Sequence, residues 1–224
     1  MSMNHIVKGN IDQLFPTPVY NSRVLNFDKI QEEIKTAIEG ETFVRKWPTH
    51  SLTDPTFRES VIVKYNMTHF LEQIGYHLER YTSGGSLEPR YGDNSRSMDE
   101  KLAIATQGGR WQREGSCNQW NVYSSWITKF EHRDYGHVHN HGCSDISGVY
   151  YYKTNGKDGD LFFQNPNLAM GTTIYQSCMD AHRYPPEAGR LLLFPGWLKH
   201  GVHTNETKNI RYSVSFNIDF GKGA

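Results

Sequence analysis

The sequence predicts an α+β domain in which helices near the N-terminus pack against an all-β body. Two segments in the first third place apolar residues three and four positions apart, which is typical of helices buried on one side. From Cys117 onward, short runs of β-branched and aromatic residues recur between Gly, Pro, Asn and Asp, which is typical of a sandwich or barrel. With 224 residues, the chain is long enough to bury a core without disulfides.

The first predicted elements are an extended segment and a helix. Leu14–Tyr20 contains two prolines, so we expect an edge strand there rather than a central one. A helix is predicted from about Phe27 to Glu39, because its apolar residues share one face. Asn26 or Asp28 can cap this helix and Gly40 ends it.

A second helix is predicted from about Met67 to Tyr81, with Asn66 as its cap. The following residues, Thr82–Ser116, are rich in Gly, Ser and charge and predict a long loop with a short helix near Ser97–Ala105. A loop of this length in a compact domain is typical of a lid or a binding loop.

The β body is predicted from seven runs, each bounded by residues that favour turns. The predicted strands are Gln119–Tyr123, Trp126–Glu131, Ile146–Lys153, Asp160–Gln164, Thr172–Ser177, Arg190–Phe194 and Ile210–Phe220.

The last run alternates between apolar and polar residues without interruption, so each kind occupies one face of a strand. One interpretation is a strand with one buried and one solvated face. The other is a barrel strand whose apolar face meets the helices and whose polar face lines a binding site. The polar face consists of Arg211, Ser213, Ser215, Asn217 and Asp219.

Composition excludes several classes of partner. The 24 Lys and Arg balance the 24 Asp and Glu without a basic block, so we expect no nucleic-acid partner. No run reaches the ~18 apolar residues of a bilayer span, and Met1–Asn10 lacks the apolar region of a signal peptide. Cys117, Cys143 and Cys178 form no CxxC pair, which indicates a reducing cytoplasm and neither disulfides nor a Cys-type zinc site.

Histidine is the unusual residue, with eleven in the chain. His137, His139 and His141 alternate, so their imidazoles project from one face if they lie at a strand end. Two neutral imidazoles so placed can bind one metal ion, and a third ligand must come from elsewhere. His200 follows a strand that Pro195 ends, so it can return across the barrel mouth.

Two alternating histidines on one strand and a distant third histidine are typical of a facial site for a non-haem metal, although three histidines also suit zinc. The letters His139-Asn140-His141 do not indicate an HNH nuclease, because that site needs a ββα unit with a basic surface. We assign no role to the isolated histidines, which are His5, His50, His69, His77 and His182.

Five segments in order resemble the 2-oxoglutarate- and Fe(II)-dependent oxygenases, and within them a branch from bacteria and their phages. They span most of the chain and leave Thr82–Ser116 unmatched. The segments are LFPTPVY at Leu14–Tyr20, HNHGCSDISGVYYYK at His139–Lys153, GDLFFQNP at Gly159–Pro166, GRLLLFPGWLKHGVHTN at Gly189–Asn205 and RYSVSFN at Arg211–Asn217.

The resemblance implies a mainly β fold with N-terminal α-helices, namely a double-stranded β-helix or jelly roll. It implies a single oxygenase domain over residues 1–224, with about 1–116 supplying helical support and a loop and about 117–224 forming the jelly-roll core. The position and composition of Trp111, Arg113 and the surrounding loop, rather than the resemblance, suggest a lid over the barrel mouth.

The resemblance also implies a cofactor, Fe(II), and a cosubstrate, 2-oxoglutarate. His139 and His200 correspond to iron-binding histidines, and Arg211 corresponds to the residue that binds the distal carboxylate of 2-oxoglutarate. Ser213 and Tyr151 are implied to contact the same carboxylate. A buried anion favours a bidentate, permanently charged guanidinium, and a buried arginine without an anion is costly, so an inward Arg211 argues for a ligand.

One position departs from the superfamily pattern, because His141 stands where most members have Asp or Glu. His141 is then the third ligand of an all-histidine site, or Asp145 or His137 reaches the metal, or water fills the position. We favour His141, since the branch itself carries His-x-His.

The implied activity is a dioxygenase that couples decarboxylation of 2-oxoglutarate to succinate with C–H oxidation of an unknown small molecule or peptide by molecular oxygen. Hydroxylation is the expected outcome. No catalytic residue is expected beyond the metal ligands. Two other functions stay open: a zinc hydrolase or cupin-like isomerase that uses the same histidines, and a non-catalytic jelly-roll binding module.

Overall fold

The computed structural model describes residues 17–57, 59–82, 110–113, 116–142, 144–166 and 181–220. Three helices and twelve strands lie within these ranges. In chain order they are β1 (Tyr20–Arg23), α1 (Phe27–Gly40), β2 (Val44–Trp47), β3 (His50–Leu52), α2 (Val61–Lys64), α3 (Thr68–Thr82), β4 (Arg110–Arg113), β5 (Ser116–Phe130), β6 (Gly136–His139), β7 (Ile146–Lys153), β8 (Leu161–Gln164), β9 (Ala181–Tyr184), β10 (Arg190–Pro195), β11 (His200–Val202) and β12 (Arg211–Phe220).

The strands form two sheets, which confirms the expected jelly-roll class. The larger has eight strands in the order β1-β10-β7-β12-β5-β3-β2, with β4 also paired to β5, and the smaller has the order β6-β11-β8-β9. The paired strands run antiparallel. Among the described strands, β1 pairs only with β10, so the edge position predicted for Tyr20 is confirmed.

Two apolar clusters hold these layers together. In the first, α1 and α3 pack on the large sheet, where Phe70 meets Tyr150 and Phe216 at ring-centroid distances of 5.1 and 5.9 Å. The second cluster joins residues of the two sheets, including Tyr151 of β7 and Phe163 of β8. The apolar residues of β12, which are Val214, Phe216 and Ile218, belong to the first cluster, on the side of the sheet that packs against the helices.

Both predicted helices are present within a residue or two of their expected bounds, but their capping differs. Asn26 precedes α1 with a left-handed backbone and makes no side-chain capping bond. Glu33 of α1 accepts hydrogen bonds from the first free N–H groups of α3, those of His69 and Phe70, at 2.9 and 3.0 Å. A carboxylate from a neighbouring helix thus does what a local Asn66 cap was expected to do.

The prediction of two strands at Gln119–Tyr123 and Trp126–Glu131 is wrong, because β5 runs unbroken from Ser116 to Phe130. The two serines between them bond across the structure rather than mark a turn. Ser125 shares a hydrogen bond with Ser60 at 2.7 Å, and Ser124 accepts one from Asn217 at 3.1 Å.

Several predictions lie wholly or partly outside the described residues. These are the strand at Thr172–Ser177, the helix near Ser97–Ala105 and most of the loop at Thr82–Ser116. Trp111 and Arg113 belong to β4, which pairs with β5 as a strand. Among the helices described, none has the length and apolar character needed to cross a membrane.

Candidate metal and anion site

Two of the predicted ligand residues face each other across a strand pair of the small sheet. His139 ends β6 and His200 begins β11, and the two residues are direct partners in the antiparallel register. Their ring centroids lie 4.5 Å apart. Strand pairing therefore brings together two histidines that are 61 positions apart in the chain.

His141 reaches the same place from the turn that follows β6. Its backbone N–H donates to the carbonyl of Gly196 at 2.7 Å, which ties this turn to the one between β10 and β11. Gly196 permits the approach, since a Cβ there would lie 2.2 Å from the carbonyl oxygen of Ser144. The rings of His141 and His200 are nearly parallel, and their centroids lie 5.2 Å apart.

The three histidines form a group that could hold a metal ion. One ligand atom from each of His139, His141 and His200 lies within 4.8 Å of the others, and no carboxylate of the described residues belongs to this group. The alternative ligand Asp145 instead accepts a hydrogen bond from the backbone N–H of Phe220 at 2.8 Å. His137 lies beside His139, at a centroid distance of 5.3 Å, but outside the group.

Hydrogen bonds and burial both leave ring nitrogens free to bind a cation. Nδ1 of His139 lies 2.8 Å from the carbonyl of His137, and Nδ1 of His200 lies 2.8 Å from that of Leu198. A carbonyl can only accept, so each Nδ1 carries the proton and each Nε2 has a free lone pair. Burial, together with neighbouring imidazoles, lowers the pKa of His200 to about 3 and that of His141 to about 4.

Arg211, at the start of β12, provides a buried positive charge. Its side chain is 1% exposed, and its guanidinium lies 4.1 Å from the ring centre of Phe130 and 5.8 Å from that of Tyr151. Nη1 donates to the carbonyl of Gly159 at 2.6 Å, while Nε has no hydrogen-bond partner among the described residues. Burial lowers the pKa of this arginine. No carboxylate of the described residues forms an ion pair with it.

The histidine group and Arg211 line one cavity of about 450 Å³. Most of the polar face of β12 forms part of its wall, as the barrel interpretation predicts, namely Arg211, Ser213, Ser215 and Asn217. Asp219, the fifth residue of that face, is not among the lining residues. Within the described chain, Arg211 is the one lining residue with a permanent charge. A negatively charged group that enters this cavity therefore meets a single cationic partner on its wall.

Tyr151 and Ser213, the other two predicted contacts of the cosubstrate, also line the cavity. Burial raises the pKa of Tyr151 to about 12, although the charge of Arg211 opposes the shift, so its hydroxyl stays protonated and can donate. Ser213 shares a hydrogen bond with Thr128 at 2.7 Å.

Sequence reasoning missed some residues of the site. His50 was assigned no role, yet it lines the cavity and stacks on Phe130 at a centroid distance of 4.8 Å. Trp126 and Asn217 both approach the ring of His141. The polar alternation of β12 pointed to Asn217, but neither Trp126 nor His50 carried a signal, because only strand pairing places them there.

The sequence matches one known family over residues 124–217, and the description of that family is "Putative 2OG-Fe(II) oxygenase". The matched segment contains all the predicted site residues. No curated protein matches the chain by sequence.

Solved structures share the fold at low sequence identity. The non-heme alpha-ketoglutarate-dependent epimerase SnoN from nogalamycin biosynthesis aligns with a TM-score of 0.58 and 12% identity, over 91% of this chain and 78% of its own. HygX from Streptomyces hygroscopicus, determined with nickel and 2-oxoglutarate bound, aligns with a TM-score of 0.54 and 10% identity, over 90% of this chain and 82% of its own. An oxidoreductase of the 2OG-Fe(II) oxygenase family from Burkholderia pseudomallei aligns with a TM-score of 0.41 and 12% identity, and the alignment covers 51% of the length of that protein.

Proposed function

We propose that this chain, a member of the 2-oxoglutarate- and Fe(II)-dependent oxygenase superfamily through residues 124–217, is a dioxygenase that oxidises a C–H bond of a small molecule. The observation that carries the proposal is one cavity whose wall holds three convergent neutral imidazoles and a buried arginine that has no carboxylate partner in the described part of the chain. The imidazoles suit a metal, the arginine suits a dicarboxylate, and 2-oxoglutarate requires both.

His139, His141 and His200 are the residues that would hold Fe(II). Imidazole is a good ligand for iron, and a three-residue set leaves coordination positions open for other ligands. Fe(II), when bound, supplies the redox chemistry that couples decarboxylation of 2-oxoglutarate to oxidation of the substrate by molecular oxygen. The chain contributes by keeping the three rings neutral and by fixing the rotation of two of them through backbone carbonyls.

Arg211 would bind the distal carboxylate of 2-oxoglutarate. As far as the structure describes the chain, its Nε is unpartnered and the rest of the cavity wall is uncharged, which leaves hydrogen-bonding capacity for an anion. The hydroxyls of Tyr151 and Ser213 add neutral donors nearby. Burial makes a charge-assisted hydrogen bond stronger here than at the surface, because water does not compete for the carboxylate.

The rest of the cavity favours an uncharged substrate. Phe57 and Tyr123 line the cavity and are 38% exposed, so they mark its opening. The ring of Phe57 packs edge-on against Trp126, at a centroid distance of 4.8 Å. An apolar or aromatic part of the substrate would pack on these rings without displacing a charged group. This entrance accommodates a small molecule, or one side chain of a peptide.

The proposal is tested by adding 2-oxoglutarate to the Fe(II)-loaded protein without oxygen. We expect a visible charge-transfer absorption band, since chelation of Fe(II) by the keto acid produces one. On admission of oxygen, succinate should form from 2-oxoglutarate. His139→Ala and His200→Ala should each lose Fe(II) binding, whereas His137→Ala should retain it, because His137 contributes a backbone carbonyl rather than its ring.

A folded, Fe(II)-loaded protein that shows neither the band nor succinate would contradict the proposal. Zinc bound tightly in the protein as purified, with no effect of 2-oxoglutarate, would favour the zinc hydrolase or isomerase. Full Fe(II) binding by His139→Ala and His200→Ala would favour a binding module whose histidines hold no metal.

We also propose that the protein works in the cytoplasm. The support is its cysteine content, which consists of three residues without a CxxC pair, as is usual in a reducing compartment.

A further inference from the structure

Asn217 lies in the cavity wall in the middle of a row of polar side chains. It is 6% exposed, and the register of β12 places it directly opposite Ser124 of β5 on one side and Ser147 of β7 on the other. Both serines are 2% exposed. Three adjacent strands therefore align three buried polar residues on one face of the large sheet.

The row continues to the third histidine of the candidate metal site. Ser147 donates to Oδ1 of Asn217 at 2.8 Å, and Nδ2 of Asn217 donates to Ser124 at 3.1 Å. The same atom, Nδ2 of Asn217, lies 3.4 Å from Nδ1 of His141. Asn217 is thus fixed by two hydroxyls of its own sheet while it faces a residue associated with the other sheet.

His141 differs from the other two histidines in what faces its Nδ1. The Nδ1 atoms of His139 and His200 face backbone carbonyls, which fix the proton there and leave Nε2 free. The Nδ1 of His141 faces a side-chain amide, which has one donor end and one acceptor end. The orientation of that amide decides which nitrogen of His141 carries the proton.

The row supports two complete hydrogen-bond arrangements. In one, the amide nitrogen faces His141, so Nδ1 accepts, the proton lies on Nε2 and Nε2 cannot bind a metal. In the other, the amide is turned by half a revolution, and its oxygen accepts from Nδ1–H of His141 and from Ser124 while its nitrogen donates to Ser147. Hydroxyl groups both donate and accept, so Ser124 and Ser147 satisfy either arrangement.

We propose that Asn217, held between Ser124 and Ser147, is a positioning residue that accepts a hydrogen bond from Nδ1 of His141 and thereby selects Nε2 of His141 as a metal ligand. The inference rests on the proposed function, because it gives His141 its role. Outer hydrogen bonds of this kind fix the tautomer and orientation of ligating histidines, and their loss weakens metal binding by about 10- to 100-fold.

The test uses the full chain, stripped of metal and loaded with Zn(II), which is diamagnetic. Nuclear magnetic resonance of ¹⁵N-labelled histidines should show the proton of His141 on Nδ1. Asn217→Leu has similar volume but no acceptor, and its affinity for Zn(II) should fall about 10- to 100-fold. Asn217→Asp offers an acceptor in the same place, and its affinity should stay within about threefold of the native value.

Ser125→Ala is the matched control for the loss of a buried hydrogen bond. Ser125 is the neighbour of Ser124, and its hydroxyl bonds Ser60 and the backbone N–H of Ile62, away from the cavity. This variant should lose stability, as a buried hydroxyl does, and still bind Zn(II) with native affinity.

Three results would overturn the inference: a proton on Nε2 of His141 in the Zn(II) form, native affinity in Asn217→Leu, or equal weakening in Asn217→Asp and Asn217→Leu. The last would mean that the loss reflects packing. If His139→Ala and His200→Ala lose Zn(II) while Asn217→Leu does not, this inference alone fails. If those two variants also bind Zn(II) normally, the proposed function fails with it.

Discussion

Arg211 carries a permanent charge on a buried side chain. Removing one partner of a buried ion pair is costly, but a buried charge that has no carboxylate partner already carries a desolvation penalty. Its contacts with Phe130 and Gly159 offset part of that penalty. We therefore expect this residue to contribute more to ligand binding than to folding.

We predict that Arg211→Met leaves the free energy of unfolding, measured without ligand, within about 1 kcal/mol of the native value or raises it, since it removes a buried charge. Its affinity for 2-oxoglutarate should fall at least about 100-fold, because the carboxylate loses a charge-assisted partner. Chemical denaturation and calorimetric titration of the metal-loaded protein measure the two effects.

Arg190→Met is the control, because Arg190 bonds the carbonyl of Pro185 outside the cavity. It should bind 2-oxoglutarate normally. Native affinity in Arg211→Met would show that the carboxylate binds elsewhere.

At the scale of elements, strand β12 has a different partner on each face. Four of its polar residues, from Arg211 to Asn217, line the cavity, while Phe216 fills the space beside Gly148, its direct partner on β7. A Cβ at Gly148 would lie 2.2 Å from Cζ of Phe216. The glycine therefore makes room for an aromatic ring that also packs against helix α3.

Gly148→Ala should destabilise the fold by about 1–3 kcal/mol, because it forces the ring of Phe216 to move within a packed core. Phe216→Leu in the same background should recover part of this loss, and a double-mutant cycle measures the coupling. Gly142→Ala is the control, since its Cβ would meet nothing closer than 3.8 Å. Equal effects of the two alanine substitutions would show that backbone entropy, not the ring, is responsible.

The contact between α3 and β1 predicts a pH dependence. His77 of α3 is 2% exposed, and its Nδ1 lies 2.8 Å from the hydroxyl of Tyr20. Burial, with a smaller effect of the Arg80 charge, lowers its pKa to about 4. In the unfolded chain the pKa is about 6.5. Between these values the unfolded state binds the proton and the folded state does not, so stability falls as the pH drops from about 6.5 to about 4.

His77→Gln should remove this contribution, which reaches up to roughly 3 kcal/mol. Other buried histidines respond in the same direction, so the quantity to measure is the difference in unfolding free energy between native and variant protein at each pH. That difference should be largest above pH 6.5 and shrink toward pH 4. A difference that does not vary with pH would show that His77 acts through packing alone.

At the scale of the whole molecule, the candidate ligands come from both sheets. β6, β11 and the turn after β6 supply the histidines, and β12 of the large sheet supplies Arg211. A metal and a cosubstrate bound together would therefore link the two sheets across the cavity.

We predict that Ni(II) and 2-oxoglutarate together raise the melting temperature by about 10–20 °C when each is present at about 100 times its dissociation constant. 2-Oxoglutarate without metal should raise it far less, because only Arg211 would hold it. Glutarate, which lacks the keto group, is the control ligand and should not benefit from Ni(II). An equal shift by 2-oxoglutarate with and without metal would contradict the bridging arrangement.

Much of this architecture follows from local patterns in the sequence. The periodicity around Ile34 and Phe70 predicted both long helices, and strict alternation predicted β12 with its two faces. Short elements were missed, among them α2, β6 and β11, because three or four residues carry too little periodicity. The break expected within β5 was wrong, since Ser124 and Ser125 find their partners on other elements.

The sequence by itself determined which chemical groups are available: alternating histidines near residue 139, another at 200, and an arginine on the polar face of the last strand. Periodicity also determined the class of fold, because apolar spacing dictates which face of each element is buried. Only the tertiary structure decided that β6 pairs with β11 so that His139 meets His200, and that Asn217 and His50 reach the same cavity. Pairing between distant strands depends on the packing of the whole chain, and no local stretch of sequence encodes it.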